Sequence, residues 1–335
     1  MPPSPLVTKS FAKLNLYLQV LNKRKDNFHN LSTLFARIDL ADTIIFRKRK
    51  DSLIKIKCDS RQVPRGKTNL CYRAAELLKQ ELKLGLGIEI ELKKCIPVGA
   101  GLGGGSTNAA SVLLGLNRFW NLNLPKTRLV KLGAKLGSDV PFFIHQAKFA
   151  LGSQRGDKIK PLISLNKLKL WFILVHPNFK VSTPWIYQKF DINSGLTPYL
   201  EQIQDGKKLN KNQDSGLTPH LEQIQDGKKL NKNQGAGLTR PRGNVKILSS
   251  QLLKKGKALD AHCLFNSLEA ISSRFYPEVN QIKKALSGMG LDKVIMSGSG
   301  PAVFAICGSC RQARGLRIKL RKQYKSWQVF VVSTV

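Results

Sequence analysis

Acidic side chains are scarce in this chain: 21 aspartates and glutamates stand against 56 lysines and arginines in 335 residues, a formal net charge of +35. Such an imbalance favours polyanionic partners, either nucleic acids or phosphorylated small molecules. The basic residues are scattered in runs such as FRKRK (46–50) and LRIKLRKQYK (316–325) and are not interleaved with aromatics on one element. Nucleic acid is therefore not the expected partner. Long apolar runs are also missing. Nothing approaches the roughly 18 consecutive apolar residues of a membrane helix, and the first residues lack the basic-then-apolar pattern of a secretory leader. A cytoplasmic protein without a membrane partner is expected. Cysteine is sparse: six, at positions 58, 71, 95, 263, 307 and 310, with one C-x-x-C spacing and only five histidines in the chain. No second pair or histidine cluster completes a zinc site, so reduced thiols are expected.

What is present is a globular pattern with 42% hydrophobic residues, long enough for two domains. Residues 12–20 (AKLNLYLQV) alternate, with Leu14, Leu16, Leu18 and Val20 on one face, which predicts a half-buried strand with Lys13 facing outward. A polar turn follows at 22–30, then strand character in 31–49 and in SLIKIKC (52–58). From Asn69, the spacing of Leu70, Ala74, Leu77, Leu78 and Leu82 predicts a helix. A strand is predicted at 87–95, a helix through Ala109–Trp120, and another opened by Pro125. The second half offers strands at KLWFILVHP and KVIMSGSGPAVFAIC, and helices at FNSLEAIS and PEVNQIKKALSGMG. Between them a polar unit of 21 residues repeats almost identically (194–214 and 215–235) and starts a third time. Two copies are too few for a solenoid, so a polar surface insertion is expected.

The glycine-rich run PVGAGLGGGSTNAAS (97–111) follows a predicted strand and opens a predicted helix. It is not a Walker A loop, because no lysine precedes Ser106. Gly99-Ala-Gly101-Leu-Gly103-Gly104 satisfies G-x-G-x-x-G, yet the strand and acid that a dinucleotide fold places downstream are replaced by helix, loop and helix. What remains is an anion cradle: bare backbone amides converge on phosphate ahead of a helix N-terminus, with hydroxyls at Ser106 and Thr107 for phosphate or Mg²⁺.

This run resembles the ATP loop of the GHMP kinase superfamily, named for galactokinase and the homoserine, mevalonate and phosphomevalonate kinases. AKLNLYLQVLNKRKDNFHNLSTLF (12–35), LGSDVPFF (136–143) and MSGSGPAVFAI (296–306) follow in matching order. Together they are similar to the branch that phosphorylates a cytidyl-bearing methylerythritol in non-mevalonate isoprenoid synthesis. The resemblance implies an α+β two-domain fold, an N-terminal ATP-binding half like ribosomal protein S5 domain 2 (1–158) and a C-terminal ferredoxin-like α/β sandwich (159–335), with the repeats inserted at about 194–239.

The same resemblance implies site residues. Asp139 is the expected base and Lys13 its assistant. Asn69, Leu70 and Lys94 are expected near adenine, and Pro97, Val98, Gly99, Ala100, Gly101, Leu102, Gly103, Gly104, Gly105, Ser106 and Thr107 on ATP. Asn15, Phe28, His29, Thr183 and Tyr187 are expected on the acceptor, with Phe28 and Tyr187 stacking on its cytosine. ATP with Mg²⁺ is the implied cofactor, with Ser106 as a possible metal ligand, and a monomer or homodimer is expected. The turn departs from the usual Asp-Gly-Tyr-His, reading Asp26-Asn27-Phe28-His29, so Asn27 must take whatever backbone angle glycine would. A homoserine- or mevalonate-type kinase, or a basic nucleic-acid binder, are the rival assignments.

Overall fold

The computed structural model describes residues 4–194, 245–253 and 263–335; from residue 195 on, the repeated segment lies outside the described residues. Two sheets organise the chain. The first has seven strands in the order β3-β4-β2-β1-β8, with β5 pairing to β2 and β6 to β5. Its members are β1 (Leu6–Lys23), β2 (His29–Arg49), β3 (Ile54–Cys58), β4 (Gly87–Lys93), β5 (Phe149–Ser153), β6 (Lys158–Pro161) and β8 (Phe265–Asn266). The second has four antiparallel strands in the order β11-β7-β10-β9: β7 (Trp171–His176), β9 (Val294–Met296), β10 (Val303–Cys307) and β11 (Gln328–Ser333).

Helices α1 (Leu70–Leu82), α2 (Gly104–Phe119), α3 (Lys126–Leu136) and α4 (Val140–His145) cover one face of the first sheet, where Ala109 and Leu113 join Phe46 and Ile90 in one core. In the second half, α5 (Thr183–Ser194), α6 (Val245–Leu253), α7 (Glu269–Phe275), α8 (Pro277–Gly288) and α9 (Cys310–Gln323) complete the described helices. Residues from α5, α7, α8 and α9 pack with the outer face of the second sheet. A third core lies between the sheets, where Leu14 and Leu16 meet Phe172, Leu174 and Phe304. The period-2 geometry of a strand explains how β7 serves two cores at once: Phe172 and Leu174 enter the inner core, Ile173 and Val175 the outer. No helix among the described residues is long and apolar enough to cross a membrane.

Two expectations are corrected here. β1 is not half-buried: every residue from Ala12 to Leu18 is buried, including Lys13. One face packs on the second sheet, and the polar face is roofed by glycine-rich backbone, so alternation did not mean exposure. FNSLEAIS is not helical throughout. Phe265–Asn266 pairs in parallel with β1, and α7 begins only at Glu269. The helix predicted from Asn69 is present with Asn69 as its N-cap, its Oδ1 accepting from the Cys71 amide at 2.7 Å. Pro125 likewise stands immediately before α3. None of the six cysteines is in a disulfide.

His176, at the end of β7, is buried; its Nδ1 accepts from the Asn178 amide at 3.3 Å, and its Nε2 is buried without a partner. Burial disfavours the imidazolium and pushes its pKa down to about 4 from 6.5. The unfolded chain therefore binds the proton first, and the stability of the neutral imidazole, complete above about pH 6.5, is lost as pH falls toward 4. The melting temperature of wild type is expected to fall more steeply across that interval than that of His176→Gln; parallel curves would refute the assignment.

Candidate active site

β4 ends in Lys93, and the chain must turn sharply to reach the glycine run. A fully buried carboxylate makes that turn. Asp42, on β2, accepts the amides of Cys95 (2.7 Å) and Ile96 (2.8 Å) and binds the Lys94 ammonium. The run then threads between two walls. Gly101 has φ +75°, and a Cβ there would lie 2.1 Å from the Ser297 carbonyl oxygen. Gly103, at φ +71°, is the N-cap of α2 and touches the Phe143 ring and the Lys13 stem. No side chain caps α2, and its start, Gly103 to Ser106, lines the cavity at the positive end of the helix dipole.

The partner loop, residues 297–301, joins β9 to β10. Asn266 Nδ2 holds it by donating to the Met296 and Gly298 carbonyls, each at 2.8 Å. Ser297 Oγ donates to the Gly101 carbonyl at 3.2 Å, and Ser299 Oγ lies 2.7 Å from Thr183 Oγ1 at the start of α5. The two glycine loops are thus in direct contact.

Beneath them lies Lys13, only 4% exposed. Its ammonium sits 3.5 Å from Asp139 Oδ2, donates to Asn15 Oδ1 at 2.5 Å, and lies 5.7 Å from the centre of the Phe35 ring. Asn15 Nδ2 donates to Thr33 Oγ1 (2.8 Å), which donates to the Tyr17 carbonyl (2.7 Å). This chain of bonds fixes the amide so that its oxygen faces the ammonium. Asp139 occupies the N-cap position of α4 yet makes no capping hydrogen bond. Its side chain is 30% exposed and opens to the cavity.

That cavity measures about 940 Å³ and runs from α1 and the glycine run to the β1–β2 turn and α5. Asn69, Leu70, Lys94 and every residue from Pro97 to Ser106 line it, as do Lys13, Asn15, Phe28, His29, Asp139, Thr183 and Tyr187. Thr107 does not: it is 2% exposed, and its amide donates to the Gly103 carbonyl within the helix. Asn69 reaches the cavity with its side chain engaged at the α1 cap and on the Pro64 carbonyl.

At the far end, Asn27 adopts the left-handed conformation, φ +61°, as the missing glycine demanded. Phe28 is 49% exposed with the Arg155 guanidinium over its ring at 5.1 Å. His29 is buried against Tyr187, whose ring stacks on it at 5.3 Å. Burial, with the Asp139 charge adding to it, pushes the Tyr187 phenol up, so it stays protonated. Sequence reasoning missed Asp42, Thr33, Arg155, Asn266 and Asp191, none of which belongs to a glycine-rich signature.

Comparisons with known proteins give the family. Residues 69–147 match the family model of the GHMP kinases N terminal domain, and residues 246–326 that of the GHMP kinases C terminal. The 4-diphosphocytidyl-2-C-methyl-D-erythritol kinase of Moorella thermoacetica is 36% identical over 95% of this chain and 96% of its own length. That of Pelotomaculum thermopropionicum is 36% identical over 93% and 92%. A crystal structure of 4-(cytidine 5'-diphospho)-2C-methyl-D-erythritol kinase superposes with a TM-score of 0.69 at 27% identity, covering 98% of each chain. A Cytophaga hutchinsonii homoserine kinase shares the fold at a TM-score of 0.61 and 19% identity, covering 98% of this chain and 95% of its own.

Two abutting glycine loops over a buried lysine paired with a cavity-facing aspartate, on this two-sheet frame, define an ATP-dependent small-molecule kinase of the GHMP superfamily. Identity over nearly the full length narrows that class. The chain belongs to the 4-diphosphocytidyl-2-C-methyl-D-erythritol kinase family.

Because a Cβ at Gly101 collides with backbone and its φ is left-handed, Gly101→Ala is expected to lower the melting temperature and weaken ATP binding about tenfold or more. Gly85→Ala, where a Cβ meets nothing within 4 Å, is the control. Calorimetric titration with a non-hydrolysable ATP analogue and thermal melts of both variants check this.

Proposed function

We propose that the protein transfers the γ-phosphoryl group of ATP to the 2-hydroxyl of 4-diphosphocytidyl-2-C-methyl-D-erythritol, releasing ADP, in non-mevalonate isoprenoid precursor synthesis. The observation that carries this is one continuous cavity with the α2 N-terminus at one end, the Lys13–Asp139 pair in its wall, and the Phe28–His29–Tyr187 group at the other end. ATP binding is assigned to residues 1–158, with Tyr187 and Thr183 supplied to the acceptor from 159–335.

Phosphoryl transfer asks the protein for alignment and charge compensation, and for a group to receive the acceptor's proton. The Asp139 carboxylate, open to the cavity and free of capping duty, takes that proton from the 2-hydroxyl. The Lys13 ammonium pairs with the carboxylate at 3.5 Å and offsets negative charge on the transferring group. Amides of the glycine run and the first turn of α2 hold the phosphate oxygens. Phe28 and Tyr187 offer faces to the cytosine ring, and His29 a hydrogen bond.

The residues present also fit a nucleotide-borne Mg²⁺. Asn108 Oδ1 is buried without a partner in a residue lining the cavity, close to the Ser106 hydroxyl in sequence and in the same wall. No cluster of three or more His, Cys, Asp or Glu side chains among the described residues competes for a cation. Ser106 and Asn108 would hold the ion together with phosphate oxygens, and it would supply charge neutralisation.

Asp139→Asn and Lys13→Ala are each expected to lower kcat by about a thousandfold while the far-UV spectrum stays that of the folded protein; Asp139→Asn also lowers the melting temperature, because it leaves the buried Lys13 ammonium without its countercharge. A coupled ADP-release assay reads this, and near-normal turnover in both folded variants would refute the catalytic assignment. The same assay with 2-C-methyl-D-erythritol 4-phosphate in place of the cytidyl substrate is expected to give a far lower kcat/KM. Equal values would remove the cytosine clamp.

A further inference from the structure

The β1–β2 turn delivers His29 into the cavity, but α5 holds it there. Tyr187, Phe190 and Asp191 stand at i, i+3 and i+4, on one face of that helix. Tyr187 stacks on the imidazole at 5.3 Å, and Phe190 meets it edge-on at 6.4 Å. Asp191 Oδ1 lies 2.6 Å from His29 Nε2. Its second oxygen, Oδ2, pairs with the Lys23 ammonium at 2.9 Å. The imidazole plane is thus fixed by two rings, and one of its nitrogens is assigned to a carboxylate. The other, Nδ1, has no hydrogen-bond partner among the described residues, in a ring that lines the cavity.

A carboxylate only accepts, so the nitrogen facing Asp191 must carry the hydrogen. In the neutral imidazole that hydrogen is the only one on a ring nitrogen, so Nδ1 keeps its lone pair. We propose that Asp191 is a positioning residue that fixes His29 as its Nε2–H tautomer, leaving Nδ1 as a lone-pair acceptor for the exocyclic amino group of a cytosine. The inference rests on the acceptor assignment above and deepens it. A uracil ring presents a carbonyl oxygen where cytosine presents the amino group, and two acceptors facing each other repel. Discrimination between the pyrimidines is therefore set by a residue that acts through His29.

Two measurements on the full-length protein test this. Long-range ¹⁵N–¹H correlation on histidine-labelled protein, with His29 assigned through His29→Gln, is expected to show the Nε2–H tautomer; an Nδ1–H tautomer would overturn the proposal. Kinetics with the cytidyl substrate and its uridyl analogue form the second. Asp191→Ala is expected to cut the cytidyl-to-uridyl ratio of kcat/KM by about tenfold or more, through KM for the cytidyl substrate, with the KM for ATP unchanged. Asp191→Asn keeps the shape and can donate as well as accept; it is expected to shift the ratio the same way and serves if the alanine variant does not fold. An unchanged ratio in a folded variant would overturn the proposal. A wild-type protein inactive on the cytidyl substrate would instead remove the acceptor assignment, and the tautomer spectrum would still decide the role of Asp191.

Discussion

The constraint on which the site depends is the burial of one ammonium group. Removing a lysine charge from water is costly unless it is paired and hydrogen-bonded. Lys13 meets that condition with Asp139, the Asn15 amide oxygen and the face of Phe35. The space comes from missing side chains: a Cβ at Gly298 would lie 3.3 Å from its Nζ, and one at Gly103 would lie 3.2 Å from its Cγ. Both glycine loops are therefore shaped around the lysine. The Lys13 amide donates to the Leu102 carbonyl at 3.1 Å, which ties β1 to the glycine run through backbone as well.

The same pairing recurs along the cavity and gives meaning to the scarcity of acids. Three lining or adjoining carboxylates, Asp42, Asp139 and Asp191, each meet a lysine: Lys94, Lys13 and Lys23. None is left to repel an incoming polyphosphate. With a net charge of +35 on the whole chain, the long-range field also draws anionic substrates inward. A basic surface and charge-balanced carboxylates suit a reaction between two diphosphate-bearing molecules.

How much of this was legible in the sequence follows from how each part is encoded. A phosphate cradle made of backbone needs consecutive glycines, so residues 97–105 announced themselves, and so did the order of the four family segments. Asn27 was legible because a residue standing for glycine must take a left-handed angle, and it does. The burial of Lys13 was not, because alternation reports one apolar face and says nothing about what roofs the polar one. Asn15 was expected on the acceptor; its side chain lines the cavity and also gives its oxygen to Lys13 and an N–H to Thr33. Thr107 looked equivalent to Ser106 in the motif, but helical geometry turns neighbouring residues about 100° apart, and Thr107 faces the core. Asp42 and Asp191 carried no local signal, since each acts on a partner far away in the chain.

α5 joins these parts mechanically. Just before it, the Val181 amide donates to the Gly99 carbonyl at 3.1 Å; at its start, Thr183 bonds Ser299. Two turns later Asp191 grips His29. From Thr183 to Asp191 the helical rise is about 12 Å, a length that cannot stretch without breaking backbone hydrogen bonds. One rigid element therefore spaces both glycine loops from the histidine at the acceptor end. Under the proposed function, a fixed separation between the phosphate end and the base end would bring the hydroxyl between them to Asp139. That spacing would align a small, weakly functionalised sugar alcohol for in-line transfer, with tight binding left to groups other than those that react.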